Sequence, residues 1–291
     1  MAQIYQNIAR KHSLTEKERT ALIKLLDDED PNIYSHIRQK LIECGPEICK
    51  LLKQSAIKGS PLLRKRANEI VNFFGKKDAD NIFLAFCLTN GDDLDLENGV
   101  FLLAKTQYPD INQEAYSALI DNFAFEIGLR LKRITRAVPI INTVNNYLFD
   151  DLGFVGNEVD YYNPNNNYLN IVLDKRTGNP VSLCALYILI TQRLKLPVAG
   201  IALPGHFMCR FQTPTEEFYI DVFNRGRILT KADCIRYLHD TSHSIYDGYL
   251  SPVKPRNILL RLCSNLHKVY QRKEQHAQAG QYQRYLIVLS R

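Results

Sequence analysis

The chain has 291 residues, 45% of them apolar, a formal net charge of +6 and no tryptophan. That length holds one large domain or two or three smaller ones, and the apolar share is ordinary for a globular protein. No run of eighteen apolar residues occurs, which excludes a membrane-spanning helix, and the positive charge is spread along the chain, which is compatible with an acidic partner but does not argue strongly for nucleic acid. The opening Met1-Ala2-Gln3-Ile4-Tyr5 has no apolar signal core, so a cytoplasmic location is expected. Seven cysteines, odd in number and irregularly spaced, fit free thiols in a reducing compartment rather than a disulfide framework or a zinc finger.

Residues 1–13 read as a polar lead. Thr15 with Glu18 three residues on has the spacing of a capping box, and Leu22, Ile23, Leu25 and Leu26 follow as a helical stripe. Asp27-Asp28-Glu29-Asp30-Pro31 breaks it. A second stripe (Ile33, Ile37, Leu41, Ile42) ends near Gly45-Pro46. A third (Ile48, Leu51, Leu52, Ile57) and a fourth (Leu62, Leu63, Ala67, Ile70, Val71, Phe74) complete the region. Helix, acidic turn, helix, Gly-Pro turn resembles a HEAT-like repeat, with about two units over residues 1–77. The expectation is a small α-helical layer.

Phe73 to Asp80 is a polar stretch and is expected to be a break between subdomains. Helical patterns resume at Ile82–Cys87, Leu96–Lys105, Gln113–Arg133 and Val138–Phe149. The acidic Asp92-Asp93-Leu94-Asp95-Leu96-Glu97 alternates carboxylates with leucines and lacks the mid-loop glycine of an EF-hand. A helix start that favours acid through the helix dipole accounts for it better than a metal site. Asn163-Pro164-Asn165-Asn166-Asn167 has turn chemistry, with amides lining a groove as the alternative.

Residues 178–223 carry the chemistry. Gly178-Asn179-Pro180 opens a helix, with Asn179 as cap and Pro180 at the first helical position. From Pro180 to about Leu194 this helix is apolar on nearly every side, so it is expected to be central and buried. Lys195-Leu196-Pro197 ends it. Three extended segments follow, Val198–Ala202, Phe207–Gln212 and Phe218–Phe223, and they place His206 and Asp221 on or beside strands facing the helix start. A thiol on a helix, a His on a strand and an orienting Asp is the layout of a papain-like or transglutaminase-like triad.

Several ordered motifs resemble the transglutaminase-like core of the bacterial SirB-one family. They are Leu152-Gly153-Phe154, Gly156-Asn157, Asp160-Tyr161-Tyr162-Asn163-Pro164, Asn167-Tyr168-Leu169, Gly178-Asn179-Pro180-Val181-Ser182-Leu183, Leu203-Pro204-Gly205-His206-Phe207 and Ile220-Asp221-Val222-Phe223-Asn224. The resemblance implies a predominantly helical α+β fold: an N-terminal helical layer, a core with a small antiparallel sheet over residues 78–250, and a C-terminal hairpin over residues 251–291. In that superfamily the nucleophilic Cys opens the helix. Counting back from Lys195-Leu196-Pro197 by the superfamily's spacing puts Pro180 there, and proline has no nucleophilic atom. Met208 stands where catalytic members commonly carry Trp. His206 and Asp221 match the base and its orienter.

Ser182 and Cys184 are the possible substitutes. Cys184 sits one turn beyond Pro180 in an apolar stretch, about 6 Å deeper along the axis, where the helix dipole has faded. It reads more simply as a small hydrophobe. Ser182 reads more simply as bonded to the backbone of its own first turn. Arg176 and Arg210 flank the core and either receive an anion or serve as surface charge.

After Phe223, Asn224-Arg225-Gly226-Arg227 is a turn and Thr230–Leu238 a short helix. His239 and His243 have metal-ligand spacing but no evident third ligand, so a solvated loop is expected. Pro255–Gln271 and Gln281–Leu289 are expected as two helices joined across Gln278-Ala279-Gly280, resembling one tetratricopeptide-like unit that packs on the core.

Three functions follow. The first is a non-catalytic transglutaminase-like module that binds a protein or peptide in the old substrate cleft. The second is a cysteine or serine hydrolase or acyl-transferase using Cys184 or Ser182 with His206 and Asp221. The third is a nucleic-acid-associated regulator, suggested only by the basic balance and ranked last. No cofactor fingerprint, P-loop or convincing metal cluster is evident, so no cofactor is expected.

Overall fold

A computed structural model describes residues 14–241 and 247–291. The expected polar lead and His243 lie outside the described residues. The fold is predominantly helical α+β, with twelve α-helices and two small sheets among the described residues. The chain divides into two compact units at residue 80.

In the first unit, α1 (Glu16–Lys24) starts on the capping box the sequence predicts: Thr15 accepts from the Glu18 backbone, and the Glu18 carboxylate accepts from Thr15. Asp30 caps α2 (Pro31–Glu43), with Pro31 at its first position. α3 (Ile48–Lys58) follows. Ile23, Leu26, Ile37, Leu41, Ile48, Leu52, Leu63 and Ile70 meet in one apolar core. The helix α4 runs unbroken over Pro61–Thr89. The polar stretch at 73–80 therefore does not interrupt the helix, although the boundary between the two compact units falls at its end, between Asp80 and Asn81. Lys, Ala and Asp all continue a helix, and the single Gly75 costs only about 1 kcal/mol relative to Ala.

In the second unit, α5 (Leu96–Lys105), α6 (Gln113–Leu131) and α7 (Ala137–Asn145) precede a π-helical turn at Asn146–Asp151. The short strands β1 (Val155–Gly156) and β2 (Thr177–Gly178) pair in parallel on either side of α8 (Leu169–Lys175). The helix α9 (Pro180–Arg193) is buried at every position from Pro180 to Thr191, as its all-round apolar sequence requires.

An antiparallel sheet in the order β3-β4-β5-β6 packs on α9. Its strands are Val198–Leu203, His206–Gln212, Glu217–Asp221 and Arg227–Leu229. Gly205, at φ +73°, makes the tight turn between β3 and β4. Strand alternation then sorts the side chains. Phe207, Cys209, Phe211, Phe218 and Ile220 join the main core with α9. Met208 and Tyr219 point the other way, to a separate apolar cluster with Cys234 and Leu238 of α10 (Lys231–Asp240). His206 and Asp221 share the parity of Met208 and Tyr219, so both fall on the α10 side.

The hairpin α11 (Pro255–Arg272) and α12 (His276–Leu289) closes the fold. Its connection is Lys273-Glu274-Gln275, with Glu274 at φ +55°, and not Gln278-Ala279-Gly280 as expected. Ala279 is buried against α11, where its carbonyl meets the His267 ring at 2.9 Å, so helical packing holds these residues inside α12.

Candidate functional site

The site begins at the N-terminus of α9. Asn179 Oδ1 accepts from the backbone N–H of Val181 at 3.0 Å and of Ser182 at 2.9 Å. Ser182 Oγ accepts from the Asn179 N–H at 3.1 Å and donates to the Asn166 carbonyl at 2.6 Å. The Asn179 side-chain amide donates to Asn167 Oδ1 at 2.6 Å, and Asn166 Nδ2 donates to the Asp160 carbonyl at 2.8 Å. The asparagine cluster is thus both turn and latch: Asn163 caps its 3-10 turn, while buried Asn166 and Asn167 fix the helix start. Ser182 is part of this latch and is 1% exposed.

Pro180, at the first position of α9, lines a cleft of about 500 Å³ together with His206, Asp221, Met208, Tyr161, Phe223 and Tyr237. Across it, His206 Nε2 and Asp221 Oδ1 are 2.9 Å apart. Asn224 completes the carboxylate's coordination, donating from Nδ2 to Oδ2 at 2.7 Å and from its backbone N–H to Oδ1 at 3.3 Å. Burial pushes the Asp221 carboxyl up, but hydrogen bonds from His206 and then Asn224 outweigh it and hold it below its ordinary value. An ionised Asp221 accepts from an N–H at His206 Nε2, and in the neutral ring this leaves the Nδ1 lone pair as acceptor. No described residue hydrogen-bonds Nδ1. Phe223 and Tyr237 stand beside the ring, at centroid distances of 6.2 and 6.1 Å.

Cys184 is fully buried and does not line this cleft. Its Sγ lies 3.5 Å from the Phe207 carbonyl, and burial, then Cys209, pushes its thiol well above the usual range. A thiol enclosed in apolar surroundings is a poor nucleophile. Neither Ser182 nor Cys184 is therefore brought to His206; the residue at the helix start within the cleft is Pro180. Proline also has no backbone N–H, so this position supplies neither a nucleophile nor an oxyanion donor.

The remaining candidates lie elsewhere. Arg176 donates to the Leu152 carbonyl at 3.1 Å and stacks on Phe154 at 5.0 Å. Arg210 donates to the Leu250 carbonyl at 2.7 Å and lies 3.5 Å from Glu217. In the acidic stretch, Asp95 caps α5 by accepting from Asn98 N–H at 3.0 Å, and Glu97 pairs with Arg193 at 2.8 Å. His239 is exposed, 3.5 Å from Asp240. Among the described residues, no group of three or more His, Cys, Asp or Glu is placed to hold a metal ion, and no helix is long and apolar enough to cross a membrane.

Sequence reasoning missed Asn224, whose position three residues after Asp221 is a recurrent spacing for side-chain capping of a turn. It also missed the aromatic wall of Tyr161, Phe223 and Tyr237, which comes from three separate elements and has no single local signal.

The family model described as "Transglutaminase-like superfamily" matches residues 114–264, just over half of the chain. A UPF0162 protein of Xylella fastidiosa (strain Temecula1) is 33% identical over 189 residues, covering 62% of this chain and 66% of the relative. That alignment spans just under two thirds of the curated relative's length. F-box only protein 21 is 33% identical in mouse over 135 residues, covering 44% of this chain and 21% of the relative. Its human counterpart is 32% identical over 155 residues, covering 50% and 24%. No solved structure matches.

Proposed function

The chain belongs to the transglutaminase-like superfamily, and from that premise we propose that its cleft binds a protein or peptide without performing the superfamily's chemistry. One observation carries this reading: Pro180, and neither Ser182 nor Cys184, lines the cleft with His206. A fold shared with enzymes does not bring their reaction with it when the attacking atom is missing. The His206–Asp221 pair still serves a binding site, because its free Nδ1 accepts one hydrogen bond from a ligand amide or hydroxyl. The aromatic wall offers apolar area at low entropic cost. The matched stretch is only 21% of mouse F-box only protein 21, which fits a module carried within longer chains.

The motifs quoted above make the SirB-one family our assignment within the superfamily, with a HEAT-like N-terminal region over 1–77, a core over 78–250, a tetratricopeptide-like hairpin over 251–291 and a cytoplasmic setting. Two measurements on the full chain test the function. The first is labelling with iodoacetamide and a fluorophosphonate, mapped by mass spectrometry. Ser182 and Cys184 are expected to stay unlabelled in the native protein, with no change in His206→Ala. Labelling at either residue that vanishes in His206→Ala supports the hydrolase or acyl-transferase reading instead. The second is selection of a random dodecapeptide phage library on the native chain. Recovered peptides are expected to lose binding to Tyr237→Ala, a variant whose folding is checked by its melting profile. Equal binding to that variant moves the peptide site away from the cleft.

A further inference from the structure

Resting on the reading of the cleft as a peptide site, we propose that the bound peptide carries carboxylate side chains, which lie along one exposed face of α11 beside the cleft.

Arg261, Lys268 and Arg272 are seven and four residues apart. At 100° per residue they fall within about 40° of one another around α11, a single stripe. Apolar residues of the same helix point inward between them, which hides the stripe from a reading of the sequence as charge runs. No described carboxylate forms an ion pair with any of the three, although other arginines of this unit, such as Arg130, Arg193 and Arg225, are paired. Lys268 and Arg272 are exposed.

The stripe is continuous with the cleft. The Arg272 guanidinium lies 4.2 Å from the Tyr162 ring centroid. Tyr162 meets Tyr161 edge-on at 5.2 Å, Tyr161 meets Phe223 at 6.0 Å, and Phe223 meets His206 at 6.2 Å. At the other end, Arg261 donates to the Leu203 carbonyl at 3.4 Å, three residues before His206. Its charge is felt by the hydroxyls of Tyr161 and Tyr237, which burial pushes up and Arg261 partly draws back. A chain leaving the cleft over the half-exposed Tyr161 and Tyr162 therefore meets cations that no described carboxylate pairs.

The α10 side of the cleft has mixed sign. There Asp233 lies 3.6 Å from Arg236, and Asp240 and Arg227 also line the cleft. A nucleic acid, with a phosphate at every step, would pass Asp233 and Asp240. A peptide can confine its negative charge to the α11 side, so the charge pattern favours an acidic peptide over a polynucleotide.

The test uses random dodecapeptides recovered on the native full chain, two of them resynthesised with a fluorophore, and a twelve-residue oligouridylate as the competing polyanion. The variant is Lys268→Glu with Arg272→Glu, both at exposed positions. Arg261→Gln is the second variant if the first melts early. The proposal expects recovered peptides rich in Asp and Glu, bound about tenfold more weakly by the double variant, with the difference shrinking as salt rises. Neutral or basic peptides that lose binding in Tyr237→Ala but keep it in the double variant overturn the acidic assignment and leave the cleft reading standing. Acidic peptides that lose binding in the double variant but not in Tyr237→Ala overturn the cleft reading, and the proposal with it. Oligouridylate binding without peptide binding, lost in the double variant, assigns the stripe to nucleic acid. Binding of neither probe overturns both.

Discussion

At Asp221, burial and hydrogen bonding oppose each other, and hydrogen bonding wins. The sign of its pH effect follows. A carboxyl held lower in the folded chain than in the unfolded one stabilises the fold above about pH 4, and that stabilisation is lost as pH falls through the folded value. Asp221→Ala is expected to cost about 1–3 kcal/mol near neutrality, because it removes a buried, charge-assisted acceptor and leaves the part-buried His206 donor without its partner. Urea melts of both proteins at pH 6.5 and pH 3 check this: the gap between them should narrow at the lower pH. Gly226 is a second exacting position. It sits at φ +72°, and an added Cβ would come within 2.4 Å of the Asn145 side chain, which donates to the Gly226 carbonyl at 2.7 Å. Gly226→Ala is expected to destabilise by more than about 1 kcal/mol, read as a lower thermal midpoint. Their strand context and the motifs around them made the His206–Asp221 pair legible in sequence. Ser182's bond to the Asn179 backbone in its own first turn was legible too, whereas its bond to the Asn166 carbonyl was not, because Ser182 and Asn166 meet only through a folded turn.

Among the elements, those with strong local signals were readable. Thr15, Asp30, Asn179 and Thr230 all cap helices, and each announces itself as an Asn, Asp, Ser or Thr before a helical pattern. The joints were less readable. Residues 73–80 look polar yet remain helical, and Gly280 looks like a turn yet lies within α12, because neither polarity nor one glycine outweighs helix continuation. Arg256 was also invisible in sequence. It is buried with no carboxylate beside it; its guanidinium donates to Leu289 and Val288 at the end of α12 and to Cys87 and Asn90 at the end of α4. Carbonyls at two helix ends carry partial negative charge and satisfy the cation. Arg256→Met is therefore expected to cost about 3 kcal/mol, since charged hydrogen bonds contribute about 1.5–3 kcal/mol each and only part of that is lost net. Chemical denaturation measures it; a change below about 1 kcal/mol contradicts this role.

For the molecule as a whole, the sequence motifs identified the transglutaminase-like core, whose family model spans residues 114–264. Spacing within that core also located Pro180 at the helix start. Composition did not show where the surface charge gathers, since a net +6 spread along the sequence becomes a stripe only when α11 turns Arg261, Lys268 and Arg272 to one side. Peptide binding is accordingly expected to weaken as salt is raised from about 0.05 to 0.5 M, because the Debye length falls below the spacing of exposed charges. Anisotropy titrations that do not change with salt contradict that electrostatic share.

The central claim is that Pro180 occupies the nucleophile's place before an intact His–Asp pair. Pro180→Cys tests it most directly, with iodoacetamide labelling followed by peptide mapping across pH. The account predicts that the introduced thiol is alkylated well below the ordinary thiol pKa of about 8.5, and that His206→Ala in the same background abolishes this low-pH reactivity. An introduced thiol that titrates as an ordinary cysteine, indifferent to His206, contradicts the claim.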